Sequence, residues 1–168
     1  MRSRAELLGH SVHQMLIVFP LGLLATAVVF DVIALAAGLP TLATAAYWAM
    51  AAGILGGLLA APFGFADWLR IPRGTRARRI GAVHGSGNLV VVALFVVSWF
   101  LRADSGAATA TSLVLSLAGI ALSMITAWLG GELVARLGVG VYDDANLDAP
   151  TSLHATRPDL AGAGRHAP

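Results

Sequence analysis

The chain has 168 residues, of which 57% are hydrophobic and only 12% charged, with a formal net charge of +2 and a mean hydropathy of +0.77. A soluble domain carries about 25% charged residues, and the charges here are absent from whole blocks (14–30, 32–66, 80–101 and 105–131) rather than thinned evenly. The composition leaves little chain for a soluble domain, and the absence of cysteine excludes disulfides and thiolate metal sites.

In chain order, residues 1–9 form a short basic start with Arg2 and Arg4. The pattern predicts four membrane spans, at about 14–38, 45–68, 80–101 and 112–134, each near the roughly 20 apolar residues that a bilayer core requires. The first apolar run is too long for a signal-peptide core, and Asp31 precedes its only cleavage-like segment. Gly38-Leu39-Pro40-Thr41 reads as a turn. The second span carries small residues at four-residue spacing, with Gly53, Gly57 and Ala61 on one face and Gly56, Ala60 and Gly64 on the next. Small residues allow close helix approach in lipid, so this helix is expected at the centre of the bundle, bent by Pro62. Residues 70–79 form an exposed basic loop. The fourth span shows a stripe of Ser116, Gly119, Ser123, Thr126 and Gly130 that should face the bundle. Residues 142–168 read as a disordered polar tail, with His154 and His166 solvated in it.

The expected fold is all-α, a polytopic transmembrane four-helix bundle over residues 1–141. Ten of the arginines fall on the side of the two termini and the 70–79 loop, and Arg102 alone falls on the other. The positive-inside rule then places both termini in the cytoplasm, N-in and C-in, in the bacterial cytoplasmic (inner) membrane. The high pI follows from this bias and does not indicate nucleic-acid binding. Trp48, Trp68, Trp99 and Trp128 fall near span ends, as interfacial belt residues do.

Ionisable groups at membrane depth are costly and tend to face the bundle interior. His10 and His13 open the first span, Asp67 ends the second, His84 lies just inside the third with Asn88 one turn on, and Glu132 ends the fourth. All six are expected at the cytoplasmic end. Helical spacing would put His10 with His13, and His84 with Asn88, on common faces. Imidazole is the commonest transition-metal donor, and histidines from two helices can also hold a haem iron. His13, His84 and His10 are therefore candidate ligands of haem b or a divalent transition metal, with Asp67 and Glu132 as further metal ligands and Asn88 supporting them. Pro20 lacks an N–H, which frees the carbonyl of Leu16 beside the histidines. Asp31, five turns beyond His13, belongs to the opposite edge, where Arg102 is its available partner. Asp67 with Arg70, and Glu132 with Arg136, have the spacing of local ion pairs.

The set Gly9-His10-x-x-His13-x-Met15-Leu16-x-x-Phe19-Pro20-x-Gly22, Tyr47-Trp48, Gly64-x-x-Asp67-Trp68, His84 with Asn88, Gly130-Gly131-Glu132-Leu133-Val134 and Gly138-Val139-Gly140-Val141 resembles a bacterial integral membrane family, domain of unknown function 2231. The resemblance covers about residues 9–141 and implies a four-helix membrane domain of uncharacterised activity, found in some relatives beside redox modules. Three functions fit these features. The first is a redox-related haem or metal site. The second is a structural subunit whose small-residue faces bind a membrane or redox partner, or a second copy of the chain. The third is a small transport or proton-relay protein with a path from the histidines to Asp31. No nucleophile elbow, P-loop or dinucleotide fingerprint supports a conventional enzyme.

Overall fold

The computed structural model describes residues 1–102 and 104–153. The expectations for His154 and His166, and for the tail beyond residue 153, lie outside the described residues. Seven elements follow in order: strands β1 (Glu6–Leu7) and β2 (His10–Ser11), then helices α1 (Val12–Leu16), α2 (Val18–Ala37), α3 (Pro40–Arg70), α4 (Arg76–Phe100) and α5 (Ala110–Ala135). Helices α1 and α2 form one stretch, so four helical segments are long and apolar enough to cross a membrane.

Local chemistry sets the helix ends. Gly38 closes α2 in the left-handed region (φ 67°), and Pro40 opens α3 at a position that needs no N–H. The expected four-residue turn is thus reduced to Gly38 and Leu39. Thr75 caps α4 by accepting from the Arg78 N–H, and Thr109 caps α5 in a reciprocal box with Ser112. The break between α1 and α2 falls at Ile17, three residues before Pro20, where the missing proline N–H weakens the ladder. The proline inside α3, Pro62, does not end that helix.

The interior is built from small residues and a few large ones. Leu24, Ala27, Val28, Met50, Ile54, Val91 and Phe95 form the core. Outward faces carry Leu55, Leu59, Leu89, Val114 and Ile125, all exposed. Such an apolar exterior around a small-residue interior is the arrangement of a helical bundle in lipid, where close packing rather than water exclusion joins the helices.

The bundle is a duplicated helical hairpin. In the first hairpin (α1–α2 with α3), Leu24 packs on Gly53 and His13 packs on Gly64; in the second (α4 with α5), Phe95 packs on Gly119 and His84 packs on Gly130. The leading positions are related by one offset (13 to 84, 24 to 95 and 31 to 102, each 71 apart) and the returning positions by another (53 to 119, 60 to 126 and 64 to 130, each 66 apart). Buried positions follow the same rule: Ala27 matches Ser98, Ala46 matches Ser112 and Met50 matches Ser116, all 0% exposed. Two hairpins running in the same sense with equivalent contacts imply an approximate two-fold axis parallel to the helices.

Candidate functional site at the histidine end

A two-residue hairpin precedes α1. Leu8 (φ 52°) and Gly9 (φ 81°) both lie in the left-handed region, as a type I′ turn requires, and Glu6 faces Ser11 across the strands. A glycine is needed at position 9 because a Cβ there would come within 2.5 Å of the Ser152 side chain. His10 therefore sits on a strand, exposed, with Nδ1 3.1 Å from the Leu8 carbonyl. The helix begins only at Val12, so His10 and His13 do not share a helical face as their spacing predicts.

His13 and His84 are held in the same way. The Nδ1 of His13 is 3.0 Å from the Ala60 carbonyl of α3, and the Nδ1 of His84 is 2.8 Å from the Thr126 carbonyl of α5. A carbonyl only accepts, so each Nδ1 carries the proton and each Nε2 keeps a lone pair in the neutral ring. Both acceptors lie one turn before the glycine on which the ring rests. A Cβ at Gly64 would be 2.7 Å from the His13 ring, and one at Gly130 would be 3.1 Å from the His84 ring.

Asn88 fixes the second ring further. Its amide donates to the His84 carbonyl at 3.0 Å and to His84 Nε2 at 3.2 Å. Its own oxygen accepts from the Thr126 hydroxyl at 2.9 Å. Gly87 makes room for this, since a Cβ there would be 2.6 Å from the Thr126 methyl.

The carboxylates go elsewhere. Asp67 accepts from the Ser3 hydroxyl at 2.8 and 2.7 Å and from the Arg4 N–H at 2.6 Å, and so anchors the N-terminal segment rather than pairing with Arg70. Glu132 pairs with Arg76 of α4 at 2.6 Å, not with Arg136. Arg136 is already the cap residue of α5, one step beyond its regular turns. Among the described residues no group of three or more His, Asp or Glu side chains is placed to hold a metal ion. The expected five-residue ligand set of His10, His13, His84, Asp67 and Glu132 is therefore not assembled, because three of its members serve the hairpin, the N-terminal segment and the α4–α5 contact.

A polar cover overlies this end, and the sequence reading missed it. The Met1 amino group donates to the carbonyls of Gly138 (3.0 Å) and Val141 (3.1 Å). Arg2 pairs with Glu6 at 2.7 Å and stacks over Tyr142 at 4.3 Å, whose hydroxyl donates to the Gly9 carbonyl at 3.0 Å. Arg2 holds the Glu6 carboxyl below its usual range. The visible signal was the Arg2 to Glu6 spacing; the Tyr142 contact spans too much sequence to be read. Arg78 performs a separate task in the basic loop. It stacks on Trp68 at 3.8 Å and donates to the carbonyls of Trp68, Leu69 and Ile71 at 2.7, 3.1 and 3.0 Å, closing the C-terminus of α3.

At the opposite end Asp31 meets Arg102, as their common level in the sequence predicts. The pair is bidentate, with Nη1 to Oδ1 at 2.9 Å and Nη2 to Oδ2, and the two side chains are 0% and 1% exposed.

No curated protein and no solved structure matches the chain. A family model described as "Predicted membrane protein (DUF2231)" matches residues 9–143, which takes in all four candidate spans and both half-buried histidines, His13 and His84. The chain belongs to this family of membrane proteins, domain of unknown function 2231.

Proposed function

We propose that the protein is a redox-related membrane protein in which His13 and His84 would hold a haem iron. The observation that carries this reading is the shared Nδ1 to carbonyl bond, made to Ala60 in one hairpin and to Thr126 in the other. That bond is the one by which proteins orient a metal-bound histidine and keep Nε2 basic. The donor count favours haem over a bare ion. Two imidazoles suffice for an iron that brings four porphyrin nitrogens, whereas a bare divalent ion needs about four protein donors. When bound, haem would supply one-electron transfer. The chain's own residues orient the rings, with Ala60 and Thr126 as acceptors and Gly64 and Gly130 as seats, while the Asn88 amide, which donates to His84 Nε2 in this structure, would have to release that nitrogen to the iron.

The arginine bias supports a histidine end facing the cytoplasm of a bacterial inner membrane, accessible to a redox partner there. The proton-relay reading is less well supported, because a carboxylate held by both guanidinium nitrogens is poorly suited to exchange protons. The test is an absorbance titration of detergent-purified protein with haemin, wild type against His13→Ala with His84→Ala. A saturable one-to-one Soret shift that the double variant loses is expected. A wild type that gives no such shift, or a variant that matches it, overturns the reading.

A further inference from the structure

The connection between the two hairpins concentrates positive charge. Residues 70–79 hold five arginines and no carboxylate. Two of the five are committed within the protein: Arg78 stacks on Trp68 and closes the end of α3, and Arg76 pairs with Glu132. Arg70, Arg73 and Arg79 are exposed and form no ion pair among the described residues. The Thr75 hydroxyl donates to the Pro72 carbonyl at 2.8 Å, which fixes the loop. Arg79 Nη1 donates to the Gly74 carbonyl at 3.4 Å, so this side chain folds back to the residue next to Arg73. The charges also gather at the start of α4, where the helix dipole is positive and the first turn has no acidic residue. Cations placed there repel one another and the helix end, and an anion relieves both.

The surface beside the arginines selects the anion. Val83, Val90 and Val97 continue from Arg79 along α4 at helical spacing, and all three are exposed. Leu58, Phe65 and Leu69 form a similar exposed stripe on α3, ending next to Arg70. Both helices are long and apolar enough to cross a membrane, and a short loop that joins two spans lies where the bilayer meets water. Free phosphate would use the charge and leave the stripes unused. A phospholipid uses both, with its phosphate on the planar guanidinium groups and an acyl chain along a stripe. A zwitterionic headgroup brings its own cation against the arginines, so a headgroup of net negative charge fits best.

We propose that the connection between α3 and α4 binds an anionic phospholipid, whose phosphate is held by Arg73 and Arg79. The site makes no use of the histidines and stands whether or not they hold haem.

The test is native mass spectrometry of the full chain in detergent, titrated with phosphatidylglycerol, with phosphatidylcholine of the same acyl chains, and with glycerol phosphate. Saturable binding of phosphatidylglycerol is expected, with the other two at least about tenfold weaker. The Arg73→Gln, Arg79→Gln double variant should bind phosphatidylglycerol on the order of twentyfold more weakly, since one arginine at an anionic surface contributes about fivefold. The Arg4→Gln, Arg136→Gln double variant removes the same charge from other exposed positions and should bind as wild type does. Melting temperature without added lipid checks the fold of both variants, and the comparison of the three ligands on the wild type needs no variant. Equal binding of the two lipids would overturn the proposal. So would glycerol phosphate bound as tightly as phosphatidylglycerol, or an equal loss in the two double variants.

Discussion

Asp31 and Arg102 occupy equivalent positions in the two hairpins, 71 residues apart, and close on each other as a buried bidentate ion pair. A contact between equivalent positions maps onto itself under the two-fold operation, so the pair marks the axis. Its environment is also met from both sides, with Met50 Sδ 3.8 Å and the Gly106 carbonyl 3.1 Å from the guanidinium.

That placement predicts an unusual charge swap. Asp31→Asn or Arg102→Met alone leaves one buried charge without its partner and should cost about 3–5 kcal/mol. The exchanged pair, Asp31→Arg with Arg102→Asp, puts the same two groups on the axis in reverse order and should recover most of the loss. Thermal stability followed by fluorescence-detected size exclusion measures this. A double variant no better than the worse single one would show that the surroundings, and not the axis, define the pair.

Gly64 and Gly130 give a graded prediction. Alanine at Gly64 places Cβ 2.7 Å from the His13 ring, and alanine at Gly130 places it 3.1 Å from the His84 ring. Gly64→Ala should destabilise by about 1–3 kcal/mol, as overpacking does, and Gly130→Ala by less. Gly22→Ala meets nothing within 4 Å and should be neutral or slightly stabilising in its helix. The order Gly64, Gly130, Gly22 in melting temperature is the check.

Arg78 is replaceable by neither alanine nor lysine. One guanidinium nitrogen reaches three carbonyls while the plane stacks on Trp68. Lysine keeps the charge but lacks the planar face. Arg78→Lys and Arg78→Ala should both speed hydrogen exchange at the C-terminal turn of α3, with alanine the larger. Equal exchange in all three proteins would remove the capping role.

Glu6 predicts an acid-labile cover. Arg2 lowers the Glu6 pKa below its ordinary value of 4.5. The carboxylate's contribution is complete above that ordinary value and is lost as the pH falls through the lowered folded value. Residues 1–11 should therefore stay protected from exchange at neutral pH and lose protection in acid, as the pH falls through that lowered value. Glu6→Gln should be unprotected to a similar degree at both pH values. The Tyr142→Phe variant, which loses the hydroxyl bonds to Glu6 and Gly9, should shift the transition toward higher pH.

The spans and the Asp31–Arg102 pairing were legible because charge-free blocks and helical rise are local properties of the sequence. The stripe from Ser116 to Gly130 and the glycines of α3 were legible for the same reason. The partners of Asp67 and Glu132 were not. Spacing favoured Arg70 and Arg136, yet Ser3, Arg4 and Arg76 reach them from distant sequence. The strand at His10 was hidden behind an expected helix start, which the Leu8-Gly9 turn delays to Val12. The duplication left a sparse trace in residue identity. Of the pairs that reveal it, three are identical (His13 with His84, Gly53 with Gly119 and Gly64 with Gly130), while Leu24 answers Phe95, Ala27 answers Ser98, and Asp31 answers Arg102. Burial and contact survive in these pairs where letters do not.

The duplication also explains why the halves share a chain. Two identical copies of either hairpin, assembled on the same axis, would bring aspartate against aspartate or arginine against arginine in a place that excludes water. Opposite signs can meet there only when the two copies differ, and the Ile71–Thr75 connection guarantees that one of each is always present. Covalent fusion thus turns a position of mandatory self-repulsion into a latch, and frees the two hairpins to evolve apart.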